Sequence, residues 1–332
     1  MADSKPRDKS NTLVVGISGP SSSGKTTLAR LLQRIFCGVD LQEQVPGPGS
    51  ETEKEKLNTF IIHEDDFYYP DDQIPYTTTK SGERIQDWDT AAAIDTNFLA
   101  QALAYVREHG KLPPRLQSKE DQNDESDSGV NKDLVLRLRD LVSSQLLSTS
   151  SSAELRSKPR TIAFMEGFLL YSAPAENTTN NQAPSPLDAV QKQIHLPIFL
   201  PASYTNVKSR REARSGYVTI GEAPVSEAEG QAESKHNEPI DLEAEDDRPP
   251  QNFWVDPPGY VDDIVWPRYV EDHAWLLVAD ESVEGDLVAR VGEGTDVRLD
   301  AGVRVAPGRG EAGMDAVLEW AVEEILRFYT GF

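Results

Sequence analysis

The sequence predicts an α/β fold, a five-stranded parallel sheet with helices on both faces and a helical lid. Three observations carry that prediction. Short, nearly continuous apolar runs alternate with stretches of helical period, as expected of parallel strands buried on both sides. The first apolar run passes through a Gly/Ser-rich loop directly into an amphipathic helix. Four polar stretches hold much of the acidic excess, and setting them aside leaves roughly 200 residues, the size of one domain.

Taken in order, the expected strands are Thr12 to Ile17, Phe60 to His63, Thr161 to Met165, Ile194 to Leu200 and Ala274 to Ala279. Each is a short apolar run, too short for a helix of ordinary length. The expected helices are Lys25 to Phe36, Thr90 to His109, Asp133 to Leu147, Ser203 to Arg214, Tyr260 to Asp272 and Gly313 to Phe328. The first of these sets Leu28, Ala29, Leu31, Leu32 and Ile35 at helical period, which makes one face apolar. The domain is read as 10–332, with insertions at about 38–57, 118–132, 173–190 and 222–250 and a lid at about 203–221. The insertions are rich in Ser, Pro, Glu and Asn and lack the apolar surface that offsets ordering entropy.

The chain has 332 residues and a formal charge of −23 at pH 7. Such a charge excludes nucleic acid as the partner, because a phosphate backbone is held by Lys and Arg that release counterions. It also repels a free nucleotide, so any nucleotide site has to make its own positive field. One cysteine, Cys37, rules out an intramolecular disulfide and fits a reducing, cytoplasmic setting. Its place on the apolar side of the first helix makes it a small core residue. The opening "MADSKPRDKSNT" has no apolar core, and no run approaches the ~20 apolar residues of a membrane span.

The chemistry begins at "GPSSSGKT", Gly19 to Thr26, which fits G-x-x-x-x-G-K-[ST] with a strand before it and a helix after it. Glycines let the backbone curl with its N–H groups inward, so the amides and the helix dipole hold anionic phosphates. Gly19, Ser21, Ser22, Ser23, Gly24, Lys25, Thr26 and Thr27 are therefore the expected nucleotide-binding residues. Lys25 reaches the outer phosphates, and the Thr26 hydroxyl takes a place on Mg²⁺.

Ligands of a parallel sheet collect beyond the carboxyl ends of its strands, and here two of those ends are acidic. The second strand runs into Glu64, Asp65 and Asp66; the third ends in Glu166 with Gly167 at the exit. Phosphoryl transfer to an alcohol needs one carboxylate near Mg²⁺ and one that accepts the hydroxyl proton. Glu166 lies where the metal-associated acid of such a fold belongs, and one of the three acids in "EDD" is left as the base, spacing not choosing which. Arg210, Arg211 and Arg214 in "SRREARSGY" form the densest positive cluster. They read either as a solvated basic face or as a lid whose guanidinium forks close on phosphates. Trp88 and Asp89 in "QDWD" and Tyr260 and Asp262 in "PPGYVDD" pair an aromatic with an acid, as stacking on a flat base and holding a sugar would need; Trp266 reads as core.

In these motifs, "GISGPSSSGKTTLAR", "HEDDFYYP", "QDWD", "FMEGFLLY", "SRREARSGY" and "PPGYVDDIVWPRY", the chain resembles the uridine-kinase-like branch of P-loop kinases and, within it, the nicotinamide riboside kinases. The resemblance covers most of the ordered core and none of the four polar stretches. It implies a P-loop fold with strand order 2-3-1-4-5 and transfer of the ATP γ-phosphate to the 5′-hydroxyl of nicotinamide riboside, and of nicotinic acid riboside, for NAD synthesis. It assigns Asp65 to the 5′-hydroxyl, Asp89 to the ribose, Glu166 to magnesium beside Thr26 and Tyr260 to the nicotinamide ring; Trp88, Tyr260 and Asp262 suit the fixed positive charge of that ring better than neutral uracil. Lys25, Arg210 and Arg214 are implied at the transferring group and Arg211 on the nucleotide. A uridine or cytidine kinase is the nearest alternative. A nucleotide-binding regulatory protein with vestigial chemistry is the alternative of another class.

Overall fold

The computed structural model describes residues 11–41, 55–118, 128–148, 158–173, 185–222, 239–278, 287–293 and 297–331. The centres of all four polar stretches lie outside the described residues.

Strand β1 (Thr12–Ser18) is wholly buried and leads into α1 (Lys25–Phe36) through the glycine-rich loop. Then follow β2 (Asn58–His63), the small hairpin β3 (Tyr76–Thr78) and β4 (Arg84–Gln86), α2 (Thr96–His109) and α3 (Lys132–Ser148). Strand β5 (Thr161–Gly167), the short α4 (Asp188–Gln191), β6 (Leu196–Phe199) and α5 (Tyr204–Glu212) come next. A second small hairpin pairs β7 (Tyr217–Thr219) with β8 (Asn252–Trp254). The chain closes with α6 (Trp266–Leu277), α7 (Leu287–Glu293), β9 (Arg304–Val305) and α8 (Met314–Gly331).

The main sheet has the order β2-β5-β1-β6-β9, every pair parallel. Its labels differ from the expected 2-3-1-4-5 because two hairpins intervene along the chain. Separately, the edge strand is not where the sequence suggested. Residues Ala274 to Leu277, expected to begin the fifth strand, are the last turn of α6, and Arg304–Val305 forms the edge instead. The apolar run there is equally compatible with a buried helix end, and Leu276 and Leu277 are indeed buried on one.

Alternation along the strands sends side chains to opposite faces. Leu13, Val15 and Ile17 pack with Leu28, Leu32, Val142, Leu318 and Ile325 from α1, α3 and α8. Val14, Ala163 and Met165 pack on the other face with Leu99, Val106 and Leu276 from α2 and α6. Helix α2 begins six residues later than expected, because Thr90 caps a separate short turn and Asp95 then accepts the Phe98 amide at 2.8 Å as the true N-cap. Cys37 is exposed at the end of α1 and is not a core residue.

Part of the fourth polar stretch is packed on the domain. Ile240 donates its amide to Gln101, Tyr105 donates its hydroxyl to Glu243, and Arg248 donates to the carbonyls of Asp66 and Gln117. Among the described residues, no helix is long and apolar enough to cross a membrane.

Candidate active site

Strands β1, β2, β5 and β6 run parallel, so their carboxyl ends share one edge of the sheet, and the glycine-rich loop lies across it. Gly19 has φ 151°, and a Cβ there would lie 2.2 Å from the Leu200 carbonyl, so the loop follows β6 only without a side chain. The Lys25 ammonium curls over the loop and donates to Pro20 O at 3.0 Å. The hydroxyls of Ser22 and Ser23 are buried without a hydrogen-bond partner in the protein, which is costly unless something else supplies an acceptor or donor.

Beside the loop, register puts His63 and Ile17 on either side of Glu166. The Glu166 carboxylate accepts the Thr26 hydroxyl at 3.1 Å and lies 2.7 Å from His63 Nδ1. Burial pushes the Glu166 carboxyl upward, but the hydrogen bond and charge of His63, with Lys25 and Thr26, outweigh it and hold the group below its usual range. Asp65 moves the other way: burial, with the Glu166 charge adding, raises it to about 6. Lys25 is lowered by burial, against the pull of Glu166 and Asp65.

The chain exits β5 closely against Glu64. A Cβ on Gly167 would meet Glu64 Oε2 at 2.4 Å, and the same oxygen accepts the Leu169 amide at 3.1 Å. Burial raises the Glu64 carboxyl to about 8, so at neutral pH it is mostly protonated. Of the three acids in "EDD", Glu64 and Asp66 are thus buried in the framework, and only Asp65 lines a cavity with Lys25 and Glu166.

Two clefts flank the loop and meet at it. One is lined by Ser21, Ser22, Lys25, Thr26, Asp65 and Glu166 on the loop side and by Tyr68, Trp88, Asp89, Phe168, Tyr217 and Trp254 farther out. The other is lined by Ser22, Ser23, Gly24, Thr27 and Arg210, with apolar walls from Leu200, Pro201, Ala306, Pro307, Met314 and Val317. Ser22 and Arg214 line both. The glycine-rich loop and Arg214 therefore stand between an aromatic cavity and an apolar slot.

Helix α5, expected to be a lid, is latched to the aromatic side. Arg211 donates to both oxygens of Asp89, at 3.1 and 3.2 Å, and to both of Asp256, at 3.2 and 2.7 Å. The guanidinium is buried between these carboxylates and lies over the Tyr217 and Tyr260 rings. Arg211, expected on nucleotide phosphates, is instead committed to holding α5 against the "QDWD" loop. Arg210 reaches the glycine-rich loop itself, donating to Ser22 O at 3.3 Å.

Two expected nucleoside contacts stand apart from the cavity. Tyr260 is buried behind its wall: the hydroxyl accepts the Trp88 amide at 3.0 Å and donates to Gln86 O at 3.1 Å, fixing Trp88 from the rear. Asp262 pairs with Lys208 at 2.5 Å and with the Tyr204 hydroxyl on the outer side of the lid. Tandem acids after an aromatic gave no indication of which way they face. Conversely, Tyr68, Phe168, Tyr217 and Trp254 line the cavity without having been singled out. Three of them follow a strand-end acid or the arginine run within a few residues, and that proximity was the available signal.

A five-stranded parallel sheet flanked by helices, with this loop at its carboxyl edge and paired clefts meeting on it, fits a P-loop kinase fold. No protein-family model matches the chain. It is 27% identical over 315 residues to the nicotinamide riboside kinase of Schizosaccharomyces pombe, covering 95% of this chain and 96% of that protein. It is 26% identical to the nicotinamide riboside kinase of Saccharomyces cerevisiae over the same shares, and 26% identical to that of Eremothecium gossypii over 84% of this chain and 82% of that protein. Nearly the whole chain is thus similar to fungal nicotinamide riboside kinases.

Proposed function

We propose that the protein is a fungal nicotinamide riboside kinase, which transfers the γ-phosphoryl group of ATP to the 5′-hydroxyl of nicotinamide riboside in NAD salvage. The observation that carries the reading is the meeting of two clefts at Ser22 and Arg214, with Asp65 on the aromatic side only. A binding module needs one nucleotide cleft; a transferase needs a second that opens onto the same phosphate.

ATP lies with its base in the apolar slot and its phosphates on the loop amides, where the unpartnered Ser22 and Ser23 hydroxyls gain acceptors. Nicotinamide riboside lies in the aromatic cavity with its 5′-hydroxyl toward Asp65. The oxygen attacks the γ-phosphorus, its proton passes to the Asp65 carboxylate, the bond to the β-phosphate oxygen breaks, and ADP leaves. Lys25, Arg210 and Arg214 offset charge on the group in transfer. Asp89 and Arg211 together form the polar patch that a ribose diol would meet.

The Thr26 hydroxyl and Glu166 carboxylate offer two hard oxygens 3.1 Å apart, a donor set that fits Mg²⁺. Bound there, Mg²⁺ supplies charge neutralisation at the phosphates.

The aromatic lining suits a base with a fixed positive charge, since a desolvated cation on an aromatic face gains about 2 kcal/mol or more. Nicotinic acid riboside shares the ring and is a second acceptor. The relatives' names do not favour a uridine or cytidine kinase or a vestigial regulatory protein. A cytoplasmic setting, with no nucleic acid partner, suits a chain of net charge −23 with one cysteine. The test is incubation of the purified protein with MgATP and nicotinamide riboside, with the mononucleotide and ADP measured by mass. Equimolar formation of both is expected; ATP binding without either product would overturn the reading.

A further inference from the structure

The walls of the aromatic cavity converge on a residue that does not line it. Tyr217 and Trp254, paired with each other at one end of the β7–β8 ladder, face the cavity, and Trp88 follows β4 by two residues. A two-stranded pair of three-residue strands is marginal in water without further support. Nor is this pair closed by a tight turn that would set its register, because residues 220–251 intervene. Something outside the hairpin has to hold it.

That something is Asp71. Its Oδ2 accepts the Thr219 hydroxyl at 2.9 Å, from β7, and the Asn252 side-chain amide at 2.8 Å, from β8. Its Oδ1 accepts the Gly221 amide at 3.2 Å, and its own amide donates to Gly221 O at 2.8 Å. Its carbonyl accepts the Gln86 side chain at 2.6 Å, at the end of β4. One residue thus ties both strands of the hairpin to the segment that presents Trp88.

We propose that Asp71 is the positioning residue of the acceptor cavity, holding the β7–β8 hairpin and the end of β4 where their aromatic side chains close on the nucleoside. The inference rests on the kinase reading above and assigns Asp71 no contact with substrate or reacting atoms. It has a signature that loss of general stability would not give: affinity for the acceptor falls while the donor slot and the chemical step are left alone.

The experiment compares steady-state kinetics of the unmodified protein, Asp71→Ala, Asn252→Ala and the double variant. In Asp71→Ala the KM for nucleoside rises about tenfold, as expected for loss of hydrogen bonds to a charged group, while KM for ATP and kcat at saturating nucleoside change by less than about twofold. Asn252→Ala shifts the same KM by about threefold, and the double variant is no worse than Asp71→Ala because the two share one interaction. An equal rise in both KM values, a fall in kcat alone, or additive effects in the double variant would overturn the proposal. If Asp71→Ala lacks a cooperative unfolding transition, Asn252→Ala decides by the same split. The unmodified protein is assayed with nicotinamide riboside and uridine, and the variants are scored on whichever it turns over. Failure of the functional reading then shows in the parent, and failure of this inference only in the variants.

Discussion

The two clefts are built by opposite means. The slot on the donor side is made of loop backbone, small residues and a few apolar walls drawn from the glycine-rich loop, the start of the segment after β6 and the Ala306 to Val317 turn. The acceptor cavity is made of large side chains brought from separate places: Tyr68 after β2, Trp88 after β4, Phe168 after β5, Tyr217 on β7 and Trp254 on β8. The first works through main-chain geometry that a short contiguous motif dictates. The second exists only once distant segments have packed, and needs braces such as Tyr260 behind Trp88 and Arg211 between Asp89 and Asp256.

The sharpest way to separate the clefts is at their junction. If Asp65 takes the proton as proposed, Asp65→Ala lowers kcat by ~10²–10⁴-fold with ATP affinity nearly intact, because Asp65 lines the aromatic cavity and not the slot. In the unmodified protein the same group gives kcat/KM an acid limb near pH 6: activity rises with pH as the carboxyl, raised to about 6, loses its proton. A variant with near-normal turnover, or no limb in that range, would remove Asp65 from the mechanism.

Next in size is the latch. Arg211→Ala leaves the Asp89 and Asp256 carboxylates without their shared partner, a loss of about 3–5 kcal/mol by the usual cost of stranding buried charge. Chemical denaturation should show this as a lower midpoint, while ATP affinity falls less than nucleoside affinity. Equal losses in both would mean that the lid serves the two clefts alike.

Trp88→Ala should raise the KM for nicotinamide riboside by about 30-fold, the equivalent of about 2 kcal/mol for a cation on a desolvated ring, with KM for ATP unchanged.

Glu64→Gln tests the framework beneath both clefts. The Glu64 carboxyl titrates at about 8 in the folded protein against 4.5 ordinarily, so the folded state holds its proton more tightly. That contribution to stability is full below about pH 4.5 and is lost as pH rises through about 8. The glutamine variant keeps an acceptor for the Leu169 amide and cannot ionise, so it should gain roughly 1–3 kcal/mol on the parent between pH 5 and 8. Thermal melts across that range give the sign directly. The smallest effect expected is that of Tyr260→Phe, which removes one hydroxyl behind Trp88 and should cost about 1 kcal/mol of nucleoside affinity.

The same contrast explains what the sequence made legible. The loop from Gly19 to Thr26, the strand before it and the helix after it could be read because their chemistry is local. So could the apolar β1, β2 and β5 and the acids at the ends of the latter two. Sheet register then set Glu166 beside His63, a pairing that no spacing along the chain reveals, while the start of α1 brought the Thr26 hydroxyl to the same carboxylate. The edge strand was misplaced because a two-residue strand, Arg304–Val305, has no period, while the apolar end of α6 imitates one. Asp262 and Tyr260 were drawn toward the substrate by composition. Their actual partners, Lys208 and the backbone of Gln86 and Trp88, come from other elements. Arg211 likewise sits among arginines expected on phosphates along the chain and between two carboxylates in space.

The most direct measurement is the ratio of kcat/KM for nicotinamide riboside to that for uridine, in the unmodified protein and in Trp88→Ala. The account predicts a strong preference for the riboside that falls by at least about tenfold in the variant, since the ring that favours a cation is gone. Equal or better use of uridine by the unmodified protein, or a ratio untouched by Trp88→Ala, would contradict it.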